Sequence, residues 1–366
     1  MIELDGSHGE GGGQMVRTAL ALSTITGQPF TISHIREGRK EQGLKHQHLH
    51  CVKALQELCN AEVFCATLGS TQLTFQPSKL SAKTLYVDIG TAGSITLLLQ
   101  SLLLPSIFAE RDMRIKIIGG TDTLWSMPID YFKSVLLPHL QKFATLELSV
   151  EKRGYFPKGG GRIDLKIKQH YRAIDFSNME SMLSFLWDEK KSVELLERGK
   201  LALIKGVSHA SVDLELQQVA TRQARAAKVW LSSYNVPVNI DVEYHTTAST
   251  GSGIVLWANF VQEQGGFIET NMINPVRIAG DALGEKGVKA EIVGETAAKA
   301  LSLQLSKEGC VDSHLTDNLI PFMAFFGGRM RCGEITEHCK SNIEVVEAFL
   351  PVKYSIADNI ISVKRI

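Results

Sequence analysis

The chain has no net charge to spend on a polyanion: its 366 residues carry 39 Lys+Arg against 39 Asp+Glu. Without a global field, any contact with RNA or DNA has to come from a local basic patch. Its six cysteines (51, 59, 65, 310, 332, 339) include no C-x-x-C pair and no zinc-ligand spacing. That excludes the common zinc modules and leaves reduced thiols in a cytoplasmic protein as the expectation. No basic-then-apolar leader opens the chain, and the run around Leu97–Leu104 is too short to span a bilayer. The first glycine-rich stretch fits neither G-x-x-x-x-G-K-[ST] nor G-x-G-x-x-G, so neither standard nucleotide motif applies. What remains is ordinary globular composition, 44% hydrophobic and 21% charged, long enough for one large domain or two to three smaller ones.

That glycine-rich stretch is Gly9-Glu10-Gly11-Gly12-Gly13-Gln14-Met15-Val16-Arg17. A short strand through Ile2, Leu4 and Asp5 enters it, and Val16, Ala19, Leu20 and Leu22 leave it at helical spacing. Glycines allow close approach of a ligand to the backbone, and the free amides of a helix start favour an anion. Glu10 would repel a phosphate unless a divalent cation stood between them, and Arg17, one turn on, could hold a phosphate oxygen. On pattern alone a plain flexible strand-to-helix turn is an equal reading.

Next comes a loop rich in cations, Arg36, Arg39, Lys40 and Lys45, followed by a helix with Leu49, Val52, Leu55 and Leu58 inward. Arginines suit a bidentate grip on phosphate, although a solvated charge run is the blander alternative. His46, His48 and His50 would share one face on a strand, but the helical spacing separates them. They are therefore expected on a helix surface, without metal.

The order strand, glycine loop, apolar helix, glycine, strand occurs at Gly9–Ile32 and recurs at Gly90–Ile118, with a weaker copy from Asp312 to Ile335. Repeats of this kind predict sheets backed by helices around a pseudo-symmetric core, an α+β fold. Between about 178 and 275 the texture changes. Met179–Glu197 reads as irregular and charged, and an α/β rhythm of its own follows, so this block is expected as an inserted small domain. The large domain would comprise 1–177 and 276–366. Near the C-terminus, Asp312-Ser313-His314-Leu315-Thr316-Asp317-Asn318 and Glu337-His338-Cys339-Lys340-Ser341-Asn342 are polar groups within apolar segments. With Ser341 or Asn342 as N-cap, His338 would sit in a loop just before a helix. Pattern alone does not make it a nucleophile.

Taken together and in order, these motifs resemble the RNA 3'-terminal phosphate cyclases. The matches are Glu10-Gly11-Gly12-Gly13-Gln14-x-x-Arg17, Ile35-Arg36-x-Gly38-Arg39 with Gly43-Leu44-x-x-Gln47-His48-Leu49, and Thr91-Ala92-Gly93-Ser94 with Gln100. Further along are Gly119-Gly120-Thr121, Arg153-Gly154-Tyr155-x-Pro157-Lys158-Gly159-Gly160-Gly161, Leu315-x-Asp317-Asn318 and His338-x-x-Ser341-Asn342.

The resemblance implies a large domain of three βαβαββ-type units, with a small α/β domain inserted before the third. It implies ATP-dependent conversion of an RNA 3'-phosphate to a 2',3'-cyclic phosphate through enzyme-histidine-AMP and RNA-adenylate intermediates. His338 would be the nucleophile and Asp317 its orienting carboxylate. Glu10 would bind a divalent metal, Mg or Mn. Arg17, Arg36, Arg39 and Gln47 would hold the triphosphate or the RNA terminal phosphate, while Gln14, Gln100 and Asn318 would belong to the nucleotide pocket. His314 stands where many relatives have a tyrosine against the adenine, with Pro128 on the other face. Gln42 replaces the usual proline before Gly43-Leu44. Two rival readings are a non-catalytic RNA-processing scaffold of the same family, disfavoured by the presence of His338, Glu10 and Arg17, and an enolpyruvyl-type transferase, which nothing in the sequence specifically favours.

Overall fold

Apolar residues on almost every side of Gly13–Thr26 bury this helix from Met15 to Ile25, and the rest of the large domain packs around it. The structure, a computed structural model, describes residues 1–7, 13–264 and 267–366. The first unit runs β1 (Ile2–Asp5), α1 (Gly13–Thr26), β2 (Phe30–Ser33), α2 (His46–Cys59), β3 (Glu62–Phe64) and β4 (Leu73–Gln76). The second runs β5 (Thr84–Asp88), α3 (Ile95–Ile107), β6 (Met113–Gly119), α4 (Ile129–Tyr131), a wider turn into α5 (Leu137–Leu140), then β7 (Ala144–Lys152) and β8 (Gly161–Gln169). After α6 (Met179–Asp188), β9 (Val193–Leu195) begins a third unit.

An insertion then follows: β10 (Lys200–Ser211), α7 (Val219–Leu231), β11 (Val238–His245), β12 (Ser252–Gln264), β13 (Phe267–Glu269), β14 (Arg277–Leu283) and α8 (Ala290–Leu305). The third unit resumes with α9 (Ser313–Phe326), β15 (Gly328–Arg331), α10 (Glu337–Phe349), β16 (Val352–Ala357) and β17 (Ile360–Arg365).

The three sheets share one plan. Their orders are β1-β2-β4-β3, β5-β6-β8-β7 and β9-β15-β17-β16, each with its first two strands parallel and the others antiparallel. A parallel pair needs a crossover, and the first helix of each unit supplies it. The helices face inward: α1 packs on α2, α3 and α10, and α9 packs on α3 and α10. The sheets keep one face to solvent, as the alternation in β7 shows, with Leu146 buried between exposed Thr145 and Glu147. Helix α3 has almost no polar side, because it lies between other helices; each leucine it buries is worth about 1.5–3 kcal/mol. Gln100 is among its few polar positions and faces the site.

The strand pairing corrects two expectations. Residues 178–197 are not irregular: Asn178 caps α6 with a reciprocal bond to Ser181, and α6 buries Met182, Leu183 and Leu186. β9 pairs in parallel with β15, so the third unit starts before the insertion, and the insertion interrupts that unit instead of preceding it. At the other edge β14 pairs with β12, and α8 packs on α7 and β14, so both belong with the insertion's five-stranded sheet. The change to the five-stranded sheet therefore falls between β9 and β10 and not at 178, and β12–β14 pairing runs across the edge expected at 275. No described helix is long and apolar enough to cross a membrane.

Candidate active site

Polar side chains from four helices of three units meet around the start of α1. Arg17 is only 8% exposed, because α1 is wrapped by its neighbours. Its Nε donates to Gln100 Oε1 on α3 (3.1 Å), and an Nη donates to Gln14 Oε1. Both acceptors are uncharged, and burial pulls the guanidinium pKa down. The chain of bonds continues: Gln100 Nε2 donates to Asn318 Oδ1 on α9 (3.1 Å), whose Nδ2 donates to the His314 carbonyl (2.7 Å). On the other side, Asn342 Oδ1 on α10 accepts from Thr18 (2.7 Å) and Gln14 (3.3 Å), and Asn342 Nδ2 donates to the Asp317 carbonyl (2.9 Å). A cavity of about 30 Å³ lies between Gln14, Arg17, Gln100, Asp317 and Asn318.

His338 occupies the first turn of α10, whose N-cap is Thr336. The expected loop placement is thus corrected: Thr336 Oγ1 accepts from Cys339 N (3.0 Å), which starts the helix earlier, while Ser341 Oγ donates back to the Glu337 carbonyl inside it. The same Thr336 hydroxyl donates to Asp317 Oδ1 (2.8 Å), joining α9 to the helix start that carries His338. Burial holds the neighbouring Cys339 thiol well above its ordinary pKa, which disfavours the thiolate there.

A second correction concerns His48. It is 4% exposed, not on the helix surface. Its Nδ1 accepts from Lys45 N (3.0 Å), and its Nε2 faces the start of α1, where a Cβ on Gly13 would lie 2.9 Å away. Burial, then the cations Arg17, Arg36 and Lys45, push its pKa down to about 3. A neutral imidazole in a field of cations marks this end of the site as a place for anions. Arg36 adopts φ 60 in the β2–α2 loop with Arg39 nearby, and Gln47 Nε2 donates to the Ser94 carbonyl (3.0 Å), tying the head of α2 to the second unit. Glu10 lies outside the described residues, as do Gly11 and Gly12.

His314, in the first turn of α9, packs its ring edge-on to Tyr131 (centroids 5.7 Å apart), and Pro128 is the N-cap residue of the helix that carries Tyr131. The Tyr131 hydroxyl donates to Asp312 Oδ1 (2.6 Å), which also caps α9 through Leu315 N, while Asp312 Oδ2 accepts from Ala279 N of the insertion (2.9 Å). Asp281 of the insertion is within electrostatic reach of His314, and burial lifts its carboxyl to about 6.

The sequence reading did not foresee a buried ion network at the joint of insertion and second unit. Arg153 pairs with Asp130 (2.7 Å), Glu243 (3.1 Å) and Asp122 (3.3 Å), and His209 Nδ1 meets the Tyr155 hydroxyl at 2.7 Å. Arg153 and Tyr155 stood in a recognised motif, but their partners are far away in sequence. Asp122, Asp130 and His209 also converge closely enough to hold a cation, yet Arg153 already serves both carboxylates.

The family model for RNA 3'-terminal phosphate cyclase matches residues 8–356. The chain belongs to the RNA 3'-terminal phosphate cyclase family. It is 44% identical over 351 residues to the RNA 3'-terminal phosphate cyclase of Pyrococcus abyssi, covering 96% of this chain and 93% of that protein. The cyclase of Pyrococcus furiosus is 42% identical over 350 residues (95% and 93%), and that of Archaeoglobus fulgidus is 40% identical over 367 residues, spanning both chains fully.

Proposed function

We propose that this member of the family converts an RNA 3'-terminal phosphate to a 2',3'-cyclic phosphate at the expense of ATP, with His338 as the nucleophile. The observation that carries the reading is the buried Arg17, held by amide oxygens at a cavity that Asp317 also lines, with its helix packed on the one that bears His338. A desolvated cation held by neutral acceptors is a receptor for an anion. The mixed α+β units, the cyclase relatives and the ATP dependence of the family support the same conclusion.

In the first step a lone pair of the neutral His338 imidazole attacks the α-phosphorus of ATP, a P–N bond forms, and pyrophosphate leaves. An oxygen of the RNA 3'-phosphate then attacks the same phosphorus and the P–N bond breaks, which returns the histidine and gives an RNA adenylate. The neighbouring 2'-hydroxyl attacks the 3'-phosphorus, loses its proton and expels AMP. Asp317, joined to the start of α10 through Thr336, orients His338. Arg17, Arg36, Arg39 and Gln47 take the phosphates, Gln14, Gln100 and Asn318 line the nucleotide pocket, and His314 and Pro128 flank the adenine. The described donors around the cavity are mainly amides and a guanidinium, a set suited to anions. A divalent metal would therefore rest on Glu10, where it would neutralise charge on the phosphates. We further propose that the catalytic domain comprises the three units and the inserted domain runs from β10 to α8.

The test is covalent labelling. ATP carrying label at the α-phosphate should leave acid-labile label on the denatured wild-type protein and none on His338→Ala. Wild-type labelling of the alanine variant would remove His338 from the first step.

A further inference from the structure

Two aromatic side chains stand in solvent beside the nucleotide pocket. Trp125 is 95% exposed and Phe156 is 76% exposed. Trp125 also adopts φ 66, a region that residues other than glycine rarely enter. Such outliers persist only where the surroundings hold them.

Here the surroundings are firm. The loop between β6 and α4 is closed at its base by Ile129 N donating to the Thr121 carbonyl (3.0 Å), and across its tip by a Thr123–Ser126 hydroxyl pair (2.8 Å). Asp122 roots it in the buried network through Thr121 (2.6 Å) and Arg153. The loop that carries Phe156 runs alongside, joined by a bridge between Asp122 and Tyr155 and by Thr121 N donating to the Gly154 carbonyl. It is braced in turn by the insertion, whose Ser249 hydroxyl accepts from Lys158 N (3.1 Å). Both rings are thus displayed on rigid supports.

Their position decides what they would meet. Trp125 is three residues from Pro128, at most about 11 Å of chain. Pro128 begins the helix whose Tyr131 touches His314, and Asp281 feels both His314 and Asp122. Lys158, exposed, follows Phe156 by two residues and supplies a cation on the same rim. Single-stranded nucleic acid is held by this combination of aromatic faces, on which bases stack, and cations that follow the backbone.

We propose that Trp125 and Phe156 form a stacking platform for the unpaired nucleotides immediately upstream of the RNA 3'-phosphate. The proposal rests on the cyclase reading above. It makes affinity for the RNA end depend on one or two bases beyond the reacting nucleotide, without preference for their identity, since every base has a face to stack.

The experiment separates the ATP step from the RNA step. Wild type, Trp125→Ala, Trp125→Phe and Phe156→Ala are assayed for adenylylation with ATP alone, and for cyclisation of a ten-nucleotide RNA with a 3'-phosphate. Loss of one stacked base should raise KM for RNA about ten-fold or more in Trp125→Ala, with kcat at saturating RNA and adenylylation as in wild type. Phenylalanine at 125 should restore most of the affinity. A substrate lacking the bases just upstream of the terminal nucleotide should bind wild type as weakly as the complete RNA binds Trp125→Ala. An unchanged KM in both alanine variants would overturn the platform. So would a parallel fall in adenylylation, which would assign Trp125 to the ATP pocket. If wild type itself takes up no label from ATP, the cyclase reading fails, and the platform with it.

Discussion

Arg17→Met should slow nucleotide transfer by roughly 10²–10³ while lowering the thermal stability by only a few degrees. Methionine keeps the unbranched stem and much of the packing against α2, α3 and α10 but removes the charge. Removing the charge also removes its desolvation penalty, a gain of about 1–4 kcal/mol on the scale seen when buried ion pairs are replaced by apolar side chains. Against this, the Gln14 and Gln100 oxygens lose their donor, and two hydrogen bonds from a charged donor are together worth about 3–6 kcal/mol. The two effects oppose each other and leave a net loss of about 2 kcal/mol, a drop of a few degrees in Tm. The catalytic effect has no such compensation. Removing one preorganised donor from developing charge in a water-poor site costs roughly 10²–10³ in rate.

The assay is therefore paired: thermal unfolding of the two proteins, and the initial rate of label uptake from α-labelled ATP. If Arg17 were instead a clamp between helices, the two readouts would fall together. A Tm lowered by more than about 8 °C, or adenylylation within ten-fold of wild type, would refute the assignment of Arg17 as an anion receptor.

Two further substitutions probe the surroundings. Asp312→Asn keeps one oxygen for Leu315 N and the Tyr131 hydroxyl, but turns an amide NH₂ toward Ala279 N, so two donors face each other; the variant should lose about 2–3 kcal/mol by denaturant unfolding, and an unchanged midpoint would deny Asp312 its role as a three-way joint. His139 is buried with neither ring nitrogen bonded among the described residues, and burial pushes its pKa down to about 3, so between pH 6.5 and about 3 the unfolded chain binds a proton that the folded one refuses, and stability falls as pH drops through that window. His139→Leu should flatten the acid side of the stability curve and raise the midpoint at pH 7; a variant less stable than wild type at both pH 7 and pH 4.5 would contradict this.

The α+β repeat was legible because it depends on local signals. Glycine loops and apolar periodicity recur at Gly9–Ile32 and Gly90–Ile118, and α1, β2, α3 and β6 lie where they predict. The third copy was only half visible, because its first strand, Val193–Leu195, is three residues long and separated from β15 by the whole insertion. A strand of that length has no period to read; only its partner defines it. Helix α6 was missed because its buried stripe is three residues wide within a charged segment. At the site, Arg17, Gln100, Asp317 and Asn318 were expected together, and they line one cavity. His48 was misplaced because the spacing of His46, His48 and His50 shows only that they diverge, not which of them is buried against the start of α1 beside Arg17. The Arg153 network was invisible for a similar reason: burial alone pairs Arg153 with Asp130 and Glu243, and no spacing encodes that.

The topology explains why these residues meet. Each unit has two βα connections, after its first and its second strand, and parallel strands bring both to the same end of the sheet, where ligands of α/β units bind. Gln14 and Arg17 follow β1; Arg36, Arg39, Gln47 and His48 follow β2. Gln100 follows β5, Trp125 and Pro128 follow β6, and Thr336 and His338 follow β15. The remaining connection, from β9 to α9, is the one that holds the insertion, and it delivers His314, Asp317 and Asn318 at its far end. The inserted domain is thus the enlarged counterpart of the glycine loop in the first unit. That position accounts for its contacts, since the Ala279 amide donates to Asp312 at the head of α9 and Asp281 is within electrostatic reach of His314. An enlarged loop at the binding end of a pseudo-symmetric core can cover the site without altering the helices that build it. The proposed nucleophile, phosphate receptors and base platform can therefore come from opposite ends of the chain, because all three units turn the same edge toward one centre.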